Sequence, residues 1–272
     1  MRLVGLHIRL NNTLIDVARY AWTMQVPIFQ CFFIKQSTNQ IITPEDGQVD
    51  EFLKEWRPKF QNLYLHGSYW INLASTPHEN RVLVRELELA RKFEFTHIII
   101  HPGSAKRSKD KKEGISTIAK SLNYLFKKND HPVKIILENT AHAGLSIGGD
   151  LMDFYYLRER LDHPEKVLFC LDTSHAHSYG YDIISPKGQE EFLAQVDATM
   201  GLANIALIHL NDTKQLKGSR IDRHEKVGDG LLEPILKDFI NHDVLKDIPV
   251  ILELPVILPE EEEKILQTVR SW

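Results

Sequence analysis

Short apolar runs alternate along the chain with longer stretches in which apolar residues recur every three or four positions. The short runs are rich in Val, Ile, Leu and Phe and end at turn residues, which is typical of strands buried on both faces. The pattern predicts eight strands, at Leu3–His7, Ile28–Phe33, Asn62–His66, His97–His101, Val133–Glu138, Val167–Asp172, Ile205–His209 and Pro249–Glu253.

The longer stretches have the period of amphipathic helices. In one of them, Leu83, Leu87 and Ala90 fall on a single face and charged residues fill the rest. The predicted helices are Asn12–Met24, Val49–Phe60, His78–Phe93, Ile115–Asn129, Gly149–Leu161, Gln189–Met200, Leu231–Asn241 and Glu260–Arg270.

Eight strand–helix alternations without a break in composition predict an α/β fold, a (β/α)8 TIM barrel formed as a single domain by residues 1–272. An open, doubly wound sheet is the alternative. Such a sheet commonly carries a glycine-rich turn after its first strand, but the turn here, His7–Asn12, contains no glycine. We therefore expect a closed barrel without a dinucleotide site.

The composition favours a globular protein of a reducing compartment. Hydrophobic residues make up 43% of the 272 positions and charged residues 26%, and no apolar run is long enough to span a bilayer. The first residues continue directly into a strand without the apolar core of a signal peptide. Cys31 and Cys170 both fall in predicted buried strands, which indicates reduced thiols. We expect a cytoplasmic monomer with no membrane contact.

Two charge runs have different interpretations. The acidic run at 260–263 follows Pro259 and opens a helix, where acidic side chains complement the helix dipole. The basic run Lys106–Lys112 follows the fourth strand, on the face where TIM barrels form their active sites. A solvated face and a phosphate-binding loop both remain open for this run. The formal net charge of −4 does not itself indicate nucleic-acid binding.

Six predicted strands end at a side chain of metal-ligand type. Parallel barrel strands place their carboxyl ends on one rim, so these groups should converge. Unpaired buried carboxylates would repel one another, and bound cations would compensate them. The six residues are His66, His101, Glu138, Asp172, His209 and Glu253.

Three neighbouring residues, His175, Asp222 and His224, extend this set to five imidazoles and four carboxylates. Any one of them alone would more often be a hydrogen-bonded structural residue. Together, nitrogen and oxygen ligands without thiolates favour catalytic zinc or manganese over a closed structural zinc site. Nine ligands exceed the needs of one ion and suit two or three. His7, His142 and His177 lie near the same rim, and each is predicted to support ligands or contact substrate rather than to bind metal, with simple exposure as the alternative.

The motifs around these residues occur in a recognisable order. They are Leu65–Ala74, His101–Ser104, Leu137–Ala141, Leu171–His175 with Gly180–Asp182, His209–Lys214, Asp222–Glu225 with Gly228–Gly230, and Ile251–Pro255. On these motifs the chain resembles the endonuclease IV family of apurinic/apyrimidinic endonucleases (AP endonuclease family 2), within the xylose isomerase-like barrels.

The resemblance implies a zinc-dependent DNA repair enzyme. It would hydrolyse the phosphodiester bond 5′ to an abasic site by attack of a metal-activated hydroxide, leaving a 3′-hydroxyl. Glu138 would bridge two of three zinc ions and would be the key catalytic residue, and Mn²⁺ is a possible substitute metal. By motif position, the ions would be held by His66, His101 and Glu138; by Glu138, Asp172, His209 and Glu253; and by His175, Asp222 and His224.

The resemblance also implies contacts to double-stranded DNA that contains abasic sites. Tyr69 would approach the abasic gap, with simple packing as its alternative role, and Arg223, Lys214 and Lys35 would contact the substrate. The first two loops depart from the family: Arg9–Asn12 replaces a serine and paired glycines, and the loop after the second strand lacks the family's arginine and aromatic residue. These departures concern substrate affinity and lesion specificity, not hydrolysis.

Two other functions compete with this prediction. A metal-dependent sugar isomerase or epimerase of the same barrel group would use one or two ions held mainly by carboxylates, and His175, Asp222 and His224 argue against it. A non-enzymatic metal-binding protein would need closed coordination. Metal stoichiometry together with cleavage of abasic DNA separates the three.

Overall fold

The computed structural model describes residues 2–35, 38, 40–75, 80–128 and 132–272. Within them, eight parallel strands form a closed barrel, as the sequence predicts. Each strand pairs with its neighbours in chain order, and the first pairs with the last. The barrel strands are β1 (Val4–His7), β2 (Phe29–Cys31), β5 (Leu63–His66), β6 (His97–Ile100), β7 (Lys134–Glu138), β8 (Val167–Asp172), β9 (Ile205–His209) and β10 (Val250–Leu252).

Two short strands lie outside the barrel, β3 (Ile34–Lys35) and β4 (Gln40–Ile41). They pair antiparallel, with Ile34 opposite Ile41. This hairpin was not predicted from the sequence. It lies in the loop after β2 that departs from the family pattern.

Helices surround the barrel between successive strands. Their bounds are α1 (Leu14–Thr23), α2 (Gln48–Glu51), α3 (Arg81–Lys92), α4 (Lys111–Lys128), α5 (Met152–Arg158), α6 (Thr173–Tyr179), α7 (Pro186–Thr199), α8 (Glu233–Asn241) and α9 (Pro259–Arg270). None of these described helices combines the length and apolar character needed to cross a membrane.

Several predicted element boundaries are wrong. The helix predicted over Val49–Phe60 is α2 followed by a π-helical segment, Phe52–Trp56, and a 3-10 turn, Arg57–Lys59, in which Pro58 lacks the amide hydrogen that a helix interior requires. The short helix α6 was not predicted. The predicted start of α3 at His78 and the predicted end of α4 at Asn129 lie outside the described residues.

An apolar layer fills the lower part of the barrel. It comprises Ile28, Tyr64, Ile99, Ile136, Cys170, Leu207 and Ile251. Gly5 completes the layer, because a Cβ atom there would lie 2.3 Å from the Ile28 carbonyl oxygen. Cys170 and Cys31 are both buried free thiols, as predicted.

The next inward position on each strand lies two residues further along, because side chains alternate between the faces of a strand. Seven of these positions follow the apolar layer directly, and His7 occupies the eighth, two residues after Gly5. The seven are Gln30, His66, His101, Glu138, Asp172, His209 and Glu253. The polar site is therefore the layer of barrel side chains immediately above the apolar one.

Candidate metal centre

The first group of ligand atoms joins the ends of three neighbouring strands. His66 Nε2 lies 3.5 Å and His101 Nε2 lies 3.3 Å from Glu138 Oε2. Glu138 is fully buried, and its Oε2 atom has no hydrogen-bond partner among the described residues. A buried carboxylate oxygen facing two imidazole nitrogens is the arrangement that a bound divalent cation would satisfy.

The second group shares Glu138 with the first. It contains Glu138, Asp172, His209 and Glu253, and one ligand atom from each lies within 4.8 Å of the others. His209 Nδ1 is 3.0 Å from Glu138 Oε1 and 3.4 Å from Glu253 Oε2. Glu138 therefore presents one oxygen to each group. This is the geometry that its predicted bridging role requires.

The third group differs in membership from the sequence-based assignment. Asp172, His175 and His224 offer ligand atoms within 4.8 Å of one another. Asp222 contacts both imidazoles, with its Oδ1 atom 3.0 Å from His175 Nε2 and 3.5 Å from His224 Nε2. Both Nε2 atoms are buried and form no hydrogen bond of acceptable geometry within the described structure. Asp172, which was assigned to the second ion alone, is within reach of two groups.

Backbone contacts select which imidazole nitrogen faces the centre. The Nδ1 atom of His66 lies 2.8 Å from the Gly67 carbonyl oxygen, and that of His175 lies 2.9 Å from the Asn139 carbonyl oxygen. An Nδ1–H that donates to a carbonyl leaves Nε2 as the available ligand. His209 is reversed, because its Nε2 atom lies 2.8 Å from Gln30 Oε1 and its Nδ1 atom faces Glu138.

Asp172 connects the strand end to the following helix. Its Oδ1 atom accepts a hydrogen bond of 2.7 Å from the His175 backbone N–H, which caps the N-terminus of α6. The cap places His175 one turn above the strand end and leaves Asp172 Oδ2 facing the centre, 3.6 Å from His224 Nε2. Asp172 thus has a local structural role in addition to its predicted role as a metal ligand.

Three buried amide side chains that were not among the predicted site residues support the ligand residues, two through their carboxylates and one through the backbone. Asn211 Nδ2 donates to Glu253 Oε2 at 3.0 Å, and Gln30 Nε2 donates to Glu253 Oε1 at 2.7 Å. Asn139 Oδ1 accepts from the Asp172 backbone N–H at 2.7 Å. The available signal was positional, since Gln30 occupies an inward strand position and Asn139 and Asn211 follow strand-end ligands.

Another missed residue, Asp212, shapes the loop that carries Asp222 and His224. Asp212 is fully buried, and its carboxylate accepts backbone N–H bonds from Thr213, Gly228, Gly230 and Leu232 at 2.8–3.3 Å. Gly230 must lack a side chain, because a Cβ atom there would lie 2.1 Å from Asp212 Oδ1. The Asp212 carboxylate therefore fixes the backbone at both ends of the loop.

The buried carboxylates and imidazoles of the centre shift one another's pKa values. Burial alone would raise the pKa of Glu138, but the charges of His209 and His101 and hydrogen bonds from the imidazoles hold that pKa well below its usual value. Burial opposes protonation of His175, yet Asp172 and Asp222 raise its pKa well above the ordinary one. Divalent cations on the same atoms would compensate the carboxylates in place of protons.

The predicted substrate residues are distributed unevenly around the cleft. Tyr69 is 76% exposed, and its ring centroid lies 6.1 Å from that of His66 and 6.2 Å from that of His101. Arg223 is exposed beside Asp222. Lys214 forms an ion pair of 2.6 Å with Glu225, and Lys35 borders a separate groove. The structure therefore does not bring Lys35 or Lys214 to the cleft.

The other histidines predicted to lie near the rim have different surroundings, and so does the basic run. His7 lines the cleft and lies 3.4 Å from Glu253 Oε1, whereas the His142 ring contacts the Arg220 carbonyl and His177 is buried away from the cleft lining. In the basic run, Lys111 forms an ion pair of 2.7 Å with the buried Asp153. That contact gives one member of the run a structural role.

The chain is a TIM barrel, because its parallel strands form a closed barrel. A layer of histidine and carboxylate side chains of metal-ligand type lies at the carboxyl end of that barrel. The family model described as "Xylose isomerase-like TIM barrel" matches residues 29–272. A "D-tagatose 3-epimerase-like protein" shares the fold, with a TM-score of 0.69 at 17% identity over 100% of this chain and 99% of that one.

More similar proteins carry the name endonuclease IV. "Probable endonuclease 4" of Campylobacter concisus is 31% identical over 100% of this chain and 99% of its own length. The protein of the same name from Thermotoga maritima is 33% identical over 82% of this chain and 80% of its own. The crystal structure of endonuclease IV from Thermus thermophilus superposes with a TM-score of 0.81 at 25% identity, covering 99% of this chain and 98% of that one. The chain belongs to the endonuclease IV family, and this membership places it among the hydrolytic endonucleases.

Proposed function

We propose that the chain is a zinc-dependent DNA repair endonuclease that hydrolyses the phosphodiester bond on the 5′ side of an abasic site and leaves a 3′-hydroxyl. The observation that carries this proposal is the convergence of nine ligand-type side chains into three overlapping groups in one cleft. The similarity to named endonucleases over nearly the whole chain supports DNA as the substrate.

The donor set fits three zinc ions, with Mn²⁺ as a possible substitute. Nitrogen and oxygen donors without thiolates suit catalytic zinc, and the orphaned Oε2 atom of Glu138 and Nε2 atoms of His175 and His224 are the atoms that such ions would satisfy. Bound divalent ions supply Lewis acidity, which lowers the pKa of water and offsets the charge of a phosphodiester. The residues proposed to hold them are His66, His101, Glu138, Asp172, His175, His209, Asp222, His224 and Glu253.

The chain's own groups contribute positioning. Glu138 holds the first two ligand groups at a fixed separation, because each of its oxygens faces a different group. Gln30 and Asn211 fix both oxygens of Glu253, so this carboxylate needs little reorganisation when substrate arrives. The exposed ring of Tyr69 stands at the mouth, where it is proposed to contact the sugar that lacks a base. Arg223, Lys214 and Lys35 are proposed contacts to the flanking backbone.

We also propose that residues 1–272 act as one unit. The first strand, β1, pairs with the last, β10, through Val4–Val250 and Leu6–Leu252. Neither half of the chain could close the barrel alone, and the ligand groups draw on strands from both halves.

The decisive experiment combines a cleavage assay with metal quantification on the same purified protein. A labelled duplex with one tetrahydrofuran abasic residue is expected to be cut once, on the 5′ side, and the product should be extended by a DNA polymerase because it ends in a 3′-hydroxyl. An undamaged duplex of the same sequence is the control, and three zinc ions per chain are expected. Three bound zincs without cleavage would contradict the proposal. One or two ions with epimerisation of a ketose would favour the sugar isomerase.

A further inference from the structure

Arg9 borders the cleft that contains the candidate metal centre. The cleft has a volume of about 190 Å³, and Arg9 is the sole arginine or lysine among the described residues that line it. Arg9 also borders an adjacent groove of about 480 Å³ that continues past Asn11 and Val256. Its side chain therefore stands between the centre and a groove that leads away from it.

The backbone fixes this placement. The Ile8 N–H donates to the Gln30 carbonyl at 2.7 Å, which continues the pairing of β1 with β2 one residue beyond the strand. Ile8 and Leu10 are both buried, with 6% and 0% exposure. Arg9 alternates with them and so projects on the same side as His7, one step further out of the barrel.

The guanidinium of Arg9 has few partners within the described structure. Its single hydrogen bond is a long one, 3.4 Å from Nη2 to the Leu254 carbonyl oxygen, and no described carboxylate lies within ion-pairing distance. Glu253 is held by Gln30 and Asn211. Glu262 is hydrogen-bonded to the Tyr20 hydroxyl, and the charge of Arg9 acts on it only from beyond ion-pairing distance. Since a guanidinium carries five N–H donors, most of those on Arg9 are available to an anion.

We propose that Arg9 binds a phosphate of the DNA strand as that strand leaves the metal centre along the adjacent groove. The inference rests on the proposed function, and it assigns to the divergent first loop a substrate contact that none of the predicted substrate residues supplies. Phosphate is the expected partner because the planar guanidinium offers paired N–H donors that match two phosphate oxygens. The half-buried stem reduces the conformational freedom that would be lost on binding.

The test measures binding of the zinc-loaded protein to an abasic duplex made uncleavable by a methylphosphonate at the scissile position. Arg9→Ala should weaken binding roughly 10- to 100-fold, as expected for loss of a charged hydrogen-bonded contact, and should reduce the slope of log K against log salt by about 0.9. Arg9→Lys should keep the salt slope and lose part of the affinity. Arg19→Ala is the matched control, because Arg19 lies outside the cleft lining and pairs with Asp16 at 2.9 Å.

A second series locates the phosphate. Additional methylphosphonates are placed one at a time along the lesion strand and its complement. At one position, neutralisation should weaken binding by wild type and by Arg19→Ala but have no effect on Arg9→Ala. Equal losses at every position in wild type and Arg9→Ala, or an unchanged salt slope, would overturn the Arg9 contact while leaving the proposed function intact. A wild-type protein that neither binds nor cuts abasic DNA would overturn both.

Discussion

Glu86 allows a quantitative test of how the rim of the barrel is held. It lies in α3, is fully buried, and its Oε2 atom accepts a hydrogen bond of 3.1 Å from the Ser68 backbone N–H. Its other oxygen has no hydrogen-bond partner among the described residues. Burial raises the pKa of Glu86 to about 7, against the opposing hydrogen bonds from Ser68. The carboxylate thus anchors the turn between His66 and Tyr69.

The pKa shift predicts the sign and size of a pH effect on stability. The ordinary value is 4.5, so between pH 4.5 and about 7 the folded state binds more protons at Glu86 than the unfolded state does. This contribution to stability is fully present below pH 4.5 and is lost as pH rises through about 7. At 1.36 kcal/mol per pH unit, the loss amounts to about 3 kcal/mol.

Glu86→Gln removes this titration while retaining an oxygen acceptor for the Ser68 N–H. Urea unfolding of wild type and variant at pH 4.5, 6 and 8 should show the variant gaining about 3 kcal/mol relative to wild type across the series. All other titratable groups are common to both proteins, so the difference reports Glu86 together with its interaction with His66. Glu88→Gln, on the exposed side of the same helix, controls for the change in net charge. A difference between Glu86→Gln and wild type that does not vary with pH would refute the assignment.

Three further changes test the site. Glu138→Gln should keep the fold but lower cleavage of the abasic duplex by about 10³-fold or more and reduce zinc content, and full activity would rule out the bridging role. Asp212→Ala should cost about 3–5 kcal/mol in urea unfolding, because four backbone N–H groups lose a charged acceptor, whereas the exposed Asp243→Ala should cost little; a loss below about 1 kcal/mol would show that the loop is held otherwise. Tyr69→Ala should weaken binding to abasic duplex more than to undamaged duplex, and equal losses would argue against lesion recognition by this ring.

The barrel and the composition of the site could be predicted from the sequence because both follow from local periodicity. Eight short apolar runs predict eight strands that are buried on both faces, which is typical of parallel sheets. In a parallel barrel, the carboxyl ends of all strands lie at one rim. Among the six strand ends predicted to carry a ligand, two were placed one residue too far, since β6 ends at Ile100 and β10 at Leu252, just before His101 and Glu253. The prediction that His101 and Glu253 point inward was unaffected by this error. Each lies two residues after an inward-facing residue of the apolar layer, Ile99 and Ile251 respectively.

The local sequence pattern could not predict contacts between residues that are far apart in the chain. Asn211 and Gln30 donate hydrogen bonds to Glu253. Asp212 accepts hydrogen bonds from a loop that extends about twenty residues beyond it. These residues become neighbours only when the barrel closes. The placement of Asp172 between two ligand groups likewise depends on the path of the loop that carries His224.

The sequence by itself determined which side chains point into the barrel and at which height, since strand alternation is a property of the local backbone. The tertiary structure decided which oxygen or nitrogen of each side chain faces the centre, that Lys111 pairs with Asp153, and that no described carboxylate comes within ion-pairing distance of Arg9. Those outcomes depend on the distances between atoms that different strands and loops bring together, and no periodicity along one segment encodes them.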